Sequence, residues 1–213
     1  MASAVIHMCV AKKVNQYLKM DERIIILGSI APDISKLVNE TKFRSHFLKE
    51  DKEDSEIDIK AFLNLYKEEL DKPFEMGYFI HLLTDRYWFR DYVYKYINGY
   101  LKDKQLPFKT YTEIKDSIYS DYSQINVPLI DYYNLDLDLF FNDFSYPQSK
   151  IKEIPMEKLK IFVDSMGILI KNSVYKKPEI MSLDQIIKFI EECSLKIIEI
   201  INKYNLIKTK VIA

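Results

Sequence analysis

The stretch GYFIHLLTDRYWF, residues 77–89, decides the fold. Almost every position in it is apolar or aromatic, so it has hardly any polar face and is predicted to be the middle of a buried helix. Two polar residues, His81 and Asp85, stand four positions apart within it. Side chains at that spacing project from one face of a helix. We therefore expect an imidazole and a carboxylate to lie side by side inside the protein.

The helix that contains this stretch is predicted to be the central element of the molecule. Pro73 suits the first turn of a helix, and Asn98-Gly99 is a reasonable stop signal. At a rise of 1.5 Å per residue, a helix over residues 73–98 would be about 40 Å long. The sequence thus predicts one long central helix.

The first helix is predicted over residues 3–20, and it carries His7 on its apolar face. That face consists of Ala4, His7, Ala11, Val14 and Leu18. Gly77 lies one turn before His81, and a glycine inside a helix costs about 1 kcal/mol relative to alanine. We expect Gly77 to be there because another helix comes close, and the helix that carries His7 is the candidate.

The connection between these two helices contains two further candidate residues. IIILGSIAPD, residues 24–33, is predicted to be the end of a helix that leads into a loop. Ala31 precedes a proline and should be extended, which would hold Asp33 at a fixed bend. A short helix over residues 43–50 is predicted to carry His46. Both polar residues therefore enter the candidate site from the connection.

The remaining segments are also predicted to be helical, and neither a repeat nor a linker interrupts the chain. The expected helices are residues 55–70 with Ser55 as the cap, 110–124, 134–142, 156–172, and a last helix with a capping box at Ser182 and Gln185. We interpret residues 1–213 as one all-α domain, a multi-helix bundle. Its expected parts are a metal-site half (1–100), a Tyr/Asp-rich covering segment (101–155) and the C-terminal helices (156–213).

Composition excludes several classes of protein. The chain has 31 basic and 32 acidic residues in 213, so it lacks the bulk positive charge that holds nucleic acid. With only four Gly and seven Pro, it does not fit a β-sandwich or a Rossmann-like fold. Cys9 and Cys193 are too few for a disulfide framework and are expected to be buried thiols. No transmembrane segment and no signal peptide are evident, so we expect a cytoplasmic protein.

The three histidines of the chain carry the functional signal. His7, His46 and His81, together with Asp33 and Asp85, supply the imidazole and carboxylate ligands that suit zinc or another divalent first-row metal. A single histidine on an apolar face is usually a satisfied core residue, and His81 with Asp85 would also make a neutral structural pair. Three histidines with two carboxylates in fitting contexts favour a metal site, because a buried carboxylate is costly unless it is paired.

Four short segments resemble the zinc-dependent phospholipase C family, which forms one superfamily with the S1/P1 nucleases. They are the histidine near the start, GSIAPD at 28–33, SHF at 45–47 and GYFIHLLTD at 77–85. Their order and approximate spacing match over residues 1–95. The resemblance implies an all-helical fold around as many as three zinc ions and the hydrolysis of phosphoesters.

The resemblance also implies a role for each of the five residues. Asp33, His46 and His81 would hold one ion, and Asp85 would bridge it to a second ion that His7 also binds. Asp33 and Asp85 are the expected catalytic residues. Because Pro32 fixes its position, Asp33 is expected either to orient or deprotonate the attacking water or to serve as a plain ligand. The expected cofactor is therefore Zn²⁺, one or two ions.

The chain departs from the family in two ways. The secreted enzymes begin with a tryptophan that binds metal, whereas here six residues precede His7 and none is Trp. The family also has a histidine where this chain has Asp91, which is either a substitute ligand or a surface residue beside Arg90. Arg86 and Arg90 follow the motif and are expected either to neutralise phosphate or to form surface ion pairs.

The sequence therefore predicts a metal-dependent phosphoesterase that acts on a phosphodiester or a phosphomonoester. The expected partner is a small substrate, a phospholipid head group or a nucleotide-like molecule. One alternative is a non-catalytic relative that keeps a structural metal and binds another protein. An HD-type nucleotide phosphohydrolase ranks lower, because the chain lacks the adjacent His-Asp pair of that class.

Overall fold

Helices make up most of residues 2–52, 55–105, 114–142 and 145–207, the part of the chain that the computed structural model describes. The α-helices are α1 (Ala4–Leu18), α2 (Glu22–Ile30), α3 (Ile59–Tyr66), α4 (Pro73–Tyr87), α5 (Asn98–Asp103), α6 (Lys115–Tyr133), α7 (Asp138–Phe141), α8 (Leu159–Lys171) and α9 (Leu183–Lys203). Shorter 3-10 helices cover Ala31–Lys36, Lys67–Glu69 and Met156–Lys158, and a π-helical segment covers Trp88–Ile97. The all-α prediction is confirmed.

Helix α4 lies at the centre of the bundle. Nearly all of its residues from Phe74 to Asp85 are buried, which explains why its sequence has no polar face. Helices α1 and α2 pack against it and against each other, and α9 packs against both α1 and α4. Of the helices in the described ranges, none is both long enough and apolar enough to cross a bilayer.

A glycine–glycine contact sets the distance between α2 and α4. A methyl group added to Gly77 would overlap the carbonyl oxygen of Ile25, and one added to Gly28 would overlap the carbonyl oxygen of Phe74. The expected close approach at Gly77 is therefore real, but its partner is α2 and not α1. The reason is that Gly28 gives α2 a matching gap, and the two backbones touch there.

The predicted stop at Asn98-Gly99 is wrong. The chain passes from α4 through the π-helical segment into α5 and stays helical to Asp103. Gly99 does not have a positive φ, and a side chain there would meet nothing within 4 Å. It is thus a tolerated helix residue and not a left-handed cap. The first left-handed residue after the helix is Gln105, with φ of 56°.

Two expectations for the connection between α2 and α4 are also wrong. Ala31 is helical (φ −56°, ψ −37°) because α2 runs directly into the 3-10 helix, where Pro32 occupies an early position that needs no N–H donor. The predicted helix over residues 43–50 is absent. Hydrogen-bonded turns cover 42–47, and Leu48 forms an isolated antiparallel bridge with Ile57.

Helix caps differ from the sequence prediction at two positions. Helix α3 is capped by Asp58, whose side chain accepts the Ala61 N–H, and it begins after Ser55. Ser182 does stand at the N-cap of α9, but its side chain makes no capping hydrogen bond. The expected start of a helix at residue 110 lies outside the described residues, and α6 is observed from Lys115.

A buried carboxylate joins α6 to the segment before α9. The Asp121 carboxylate accepts the backbone N–H groups of Glu179, Ile180 and Met181 at 2.7 to 2.9 Å. Hydrogen bonds to an ionised acceptor are stronger than those between neutral groups. Asp121 therefore fixes the approach to α9, which in turn packs against α1.

Candidate metal centre

The structure brings together all five residues that the sequence singled out. His7 comes from α1, Asp33 from the 3-10 helix after α2, His46 from the turns that follow, and His81 with Asp85 from α4. Each is buried, with at most 2% of its surface exposed. The contact between α2 and α4 and the packing of α1 on both bring these four segments around one point.

His81 has one ring nitrogen whose role is fixed by its neighbour. Its Nδ1 lies 2.7 Å from the backbone carbonyl oxygen of Ser29. A carbonyl only accepts hydrogen bonds, so Nδ1 carries the hydrogen and Nε2 of the neutral ring keeps its lone pair. A second contact of this kind typically orients a histidine that binds metal. The close approach of α2 to α4 is what brings the Ser29 carbonyl to the ring.

His46 places its own Nε2 against that of His81. The two Nε2 atoms are 3.1 Å apart, and His46 Nδ1 lies 2.9 Å from the Ser45 hydroxyl. Two imidazoles that bind one zinc at 2.0–2.1 Å with tetrahedral angles have nitrogens about 3.3 Å apart. The observed separation is close to the value that a shared ion requires.

Several polar atoms at the centre have no hydrogen-bond partner. They are Nδ1 and Nε2 of His7 and Oδ2 of Asp85, although His7 Nε2 comes within 3.3 Å of Asp85 Oδ1. Oδ1 itself accepts the N–H of Ala2 at 2.9 Å. A buried polar atom without a partner costs about 1–3 kcal/mol. A metal ion would satisfy the one lone pair of the neutral His7 ring together with Oδ2 of Asp85, so these atoms fit an ion.

The imidazoles of His7 and His46 are held in the neutral form that binds metal. Burial, reinforced by the nearby ring of His81, lowers the pKa of His7 to about 4. Burial is also the main cause that lowers the pKa of His46 well below its usual value, and the charge of Lys42 adds to it. The ring of His7 stacks on that of His81 with centroids 3.8 Å apart.

Both carboxylates are ionised despite their burial. Burial alone would raise the pKa of Asp33, but the charges of Lys42 and Lys36 outweigh it and hold that pKa well below its usual range. For Asp85, contacts with the imidazoles of His7 and His81 likewise outweigh burial and lower the pKa. The centre therefore offers anionic oxygen ligands at neutral pH.

The ligand atoms form two overlapping groups. His7, Asp33 and His81 make one, and His46, His81 and Asp85 make the other, with the ligand atoms of each group within 4.8 Å of one another. The groups share His81, and Asp85 of the second group also lies 3.3 Å from His7 of the first. A buried His/Asp cluster that could hold a metal ion is thus present, drawn from the residues that the sequence named.

The candidates after the motif lie elsewhere. Asp91, in the π-helical segment, pairs with Lys196 at 2.5 Å and with Arg90 at 3.0 Å. Arg86 lies 3.6 Å from Glu56 on the surface. The structure brings neither Asp91 nor Arg86 to the cluster.

Sequence reasoning missed two lysines at the centre. Lys42 Nζ lies 2.8 Å and Lys36 Nζ 3.2 Å from Asp33 Oδ1. The spacing of Lys36 from Asp33, three residues, would have been the only signal. Lys42 has none, because nothing in the sequence separates it from the other basic residues.

No family model matches the chain, and no curated protein and no solved structure shows significant similarity to it. The resemblance to zinc-dependent phospholipases C therefore stays a prediction that rests on the four quoted segments. The fold and the site define the protein only as an all-α protein with a buried His/Asp cluster that could hold a metal ion.

Proposed function

We propose that this protein is a metal-dependent phosphoesterase whose metal is zinc. One observation carries the proposal: the Nε2 atoms of His46 and His81 lie 3.1 Å apart beside the unpartnered Oδ2 of Asp85. Imidazole and carboxylate ligands in such a set suit Zn²⁺. The resemblance to zinc-dependent phospholipases C supports a phosphodiester or a phosphomonoester as the substrate.

The residues of the chain have separable tasks in this reaction. A bound zinc ion supplies Lewis acidity and brings the pKa of a coordinated water from 15.7 to about 7. His81, oriented by the Ser29 carbonyl, and His46 would hold the ion together with Asp85, which also contacts His7. Asp33 is the acceptor that orients the attacking water, because its position is fixed by the 3-10 helix.

A second candidate is a structural ion in a protein that acts by binding another protein. The observation that favours it is the burial of all five ligands, since catalytic zinc keeps a coordination position open to substrate. Turnover distinguishes the two functions, because both require the ion.

Metal analysis combined with Asp85→Asn tests the proposal. Wild-type protein should purify with zinc and hydrolyse bis(4-nitrophenyl) phosphate or 4-nitrophenyl phosphate. Asp85→Asn removes an anionic ligand at constant shape, so metal content and hydrolysis should both be lost. Asp91→Asn is the matched control and should retain both, because Asp91 pairs with Lys196 instead.

The outcomes separate the candidates. Zinc without hydrolysis of either ester would favour the structural ion. Wild-type protein with less than about half an equivalent of any transition metal, and with a melting temperature that chelator does not change, would exclude both.

A further inference from the structure

A cavity beside the metal centre is lined by lysines. It has a volume of ≈ 360 Å³, and its walls include Lys36, Lys42, Lys52 and Tyr119. Two acidic residues, Glu40 and Asp51, also line it. A volume in this range suits a small organic ligand. The cavity is adjacent to the centre, because Lys36 and Lys42 both reach Asp33 from its wall.

The two lysines differ in how firmly they are held. The Lys42 side chain is 19% exposed and its Nζ is 2.8 Å from Asp33 Oδ1, so the aliphatic stem is largely buried. The Lys36 side chain is 59% exposed and lies 3.2 Å from the same oxygen. Two ammonium groups therefore converge on one carboxylate oxygen at the boundary between centre and cavity.

The charge balance of the centre leaves a place for an anion. Lys36 and Lys42, the two ammonium groups that contact Asp33, equal in number the carboxylates of Asp33 and Asp85. A divalent ion would therefore add two positive charges. Glu40 and Asp51 compensate them only weakly, because both are exposed and water screens their charge. An excess of buried charge is costly unless a counter-charge is present. A ligand with two negative charges restores the balance.

We propose that Lys42 and Lys36 form a phosphate-binding subsite that holds the dianionic terminal phosphate of a phosphomonoester against the metal centre. The proposal rests on the proposed function and narrows its substrate class from any phosphoester to a monoester. Lysine ammonium groups bind phosphate oxygens as point charges. A phosphate oxygen could replace the contact between Lys42 and Asp33, so that Lys42 stays hydrogen-bonded. The negative charge of the same phosphate would offset the charge of the metal ion. A phosphodiester carries only one negative charge, so it would leave one of the two positive charges of the divalent ion without a counter-charge.

Titration calorimetry with inorganic phosphate tests the subsite without requiring turnover. Phosphate is titrated into zinc-loaded wild type, Lys42→Met, Lys36→Ala and Lys188→Ala, with metal content measured on every sample. Methionine keeps the buried stem of residue 42 and removes only the charge. Lys188, on the outer face of α9, pairs with Glu192 and serves as the control for loss of one surface charge.

The expected result is a graded loss of phosphate affinity at constant metal content. Lys42→Met should weaken binding by about tenfold or more and the exposed Lys36→Ala by about threefold, as for loss of a charged hydrogen bond. Lys188→Ala should bind like wild type, and Lys42→Arg should recover most of the affinity. Dimethyl phosphate, a monoanion, should bind wild type at least about tenfold more weakly than phosphate.

Three results would overturn the subsite. The first is that wild type does not bind phosphate, and the second is that Lys42→Met and Lys188→Ala bind it with equal affinity. The third is that Lys42→Met loses its metal, which would mean that Lys42 stabilises the metal centre and does not bind phosphate. The proposed function is tested separately, by measuring ester hydrolysis. Lysine-dependent phosphate binding without ester hydrolysis rejects the function and keeps the subsite. Ester hydrolysis by wild type, with a phosphate affinity that is unchanged in the lysine variants, keeps the function and rejects the subsite.

Discussion

His81 illustrates how a single residue acquires its chemistry from a contact that is remote in the chain. The Ser29 carbonyl, 52 positions away, accepts a hydrogen bond from Nδ1 of His81. The other ring nitrogen, Nε2, then faces His46. The sequence identifies His81 through its spacing from Asp85. It does not identify the partner that orients the ring, because backbone carbonyls carry no sequence signature.

Lowering the pH should destabilise the metal-free protein through its neutral histidines. The pKa of His7 is lowered to about 4 and that of His46 is also lowered, whereas unfolded histidines titrate near 6.5. Below about pH 6.5 these histidines bind protons in the unfolded state but stay neutral in the folded state. The free energy of unfolding therefore falls as the pH is lowered. Each ring contributes up to about 1.4 kcal/mol per pH unit, and for His7 the loss ends near pH 4.

Urea unfolding of chelator-treated protein at pH 7.5 and 5.5 measures this effect. His7→Gln should show a shallower pH dependence than wild type, because one of the two titrating rings is gone. The same slope in both proteins would contradict the assignment to His7.

At the scale of elements, the paired glycines of α2 and α4 link packing to the site. Gly77→Ala would drive a methyl group into the Ile25 carbonyl and force the two helices apart. Overpacking of this kind costs about 1–3 kcal/mol. We also expect weaker binding of the proposed metal ion, because the same displacement moves the Ser29 carbonyl away from His81.

Gly99→Ala is the matched control for this substitution. Gly99 is helical and an added methyl group meets nothing, so alanine there should be neutral or stabilising by up to about 1 kcal/mol. Chemical denaturation and competition with a chromophoric zinc chelator measure the two effects. A Gly77→Ala protein as stable as Gly99→Ala would show that α2 does not need this contact.

The sequence predicts the existence of these elements better than their limits and partners. Apolar periodicity is a property of each segment, so α1, α4 and α9 are found from their own residues. The partner of Gly77 depends on which of two apolar helices arrives there, and both carry suitable stripes. The π-helical segment and the continuation through Gly99 are likewise set by packing, which local stop signals do not include.

For the whole molecule, Asp121 is expected to matter for stability and not for metal binding. Asp121→Ala removes the acceptor of three backbone N–H groups and leaves them buried or partly buried. We expect a loss of about 2 kcal/mol or more in the free energy of unfolding, with zinc content unchanged. Urea denaturation and metal analysis measure the two quantities.

Asp131→Ala provides the comparison, because Asp131 is exposed on the same helix and should change stability by no more than about 0.5 kcal/mol. Equal stability of the two variants would show that the Asp121 contacts do not hold the approach to α9. Loss of zinc from Asp121→Ala alone would instead couple the C-terminal helices to the metal centre.

The class of the fold and the five clustered residues follow from the sequence, whereas the charges around them do not. Three histidines and two aspartates stand out in the sequence, because a polar residue in an apolar segment is costly to bury unless it has a partner. Lys36 and Lys42 do not stand out, since lysines are common on any surface and only the folded connection turns these two towards Asp33.

The hydrogen bond from Ala2 to Asp85 has a practical consequence for handling the protein. Ala2 is only 5% exposed and its N–H donates to a candidate ligand, so any residues placed before it must leave the interior beside the candidate metal centre. A polyhistidine tag fused there would bring competing imidazoles close to that centre. Fusion at the opposite end of the chain keeps purification apart from metal counting.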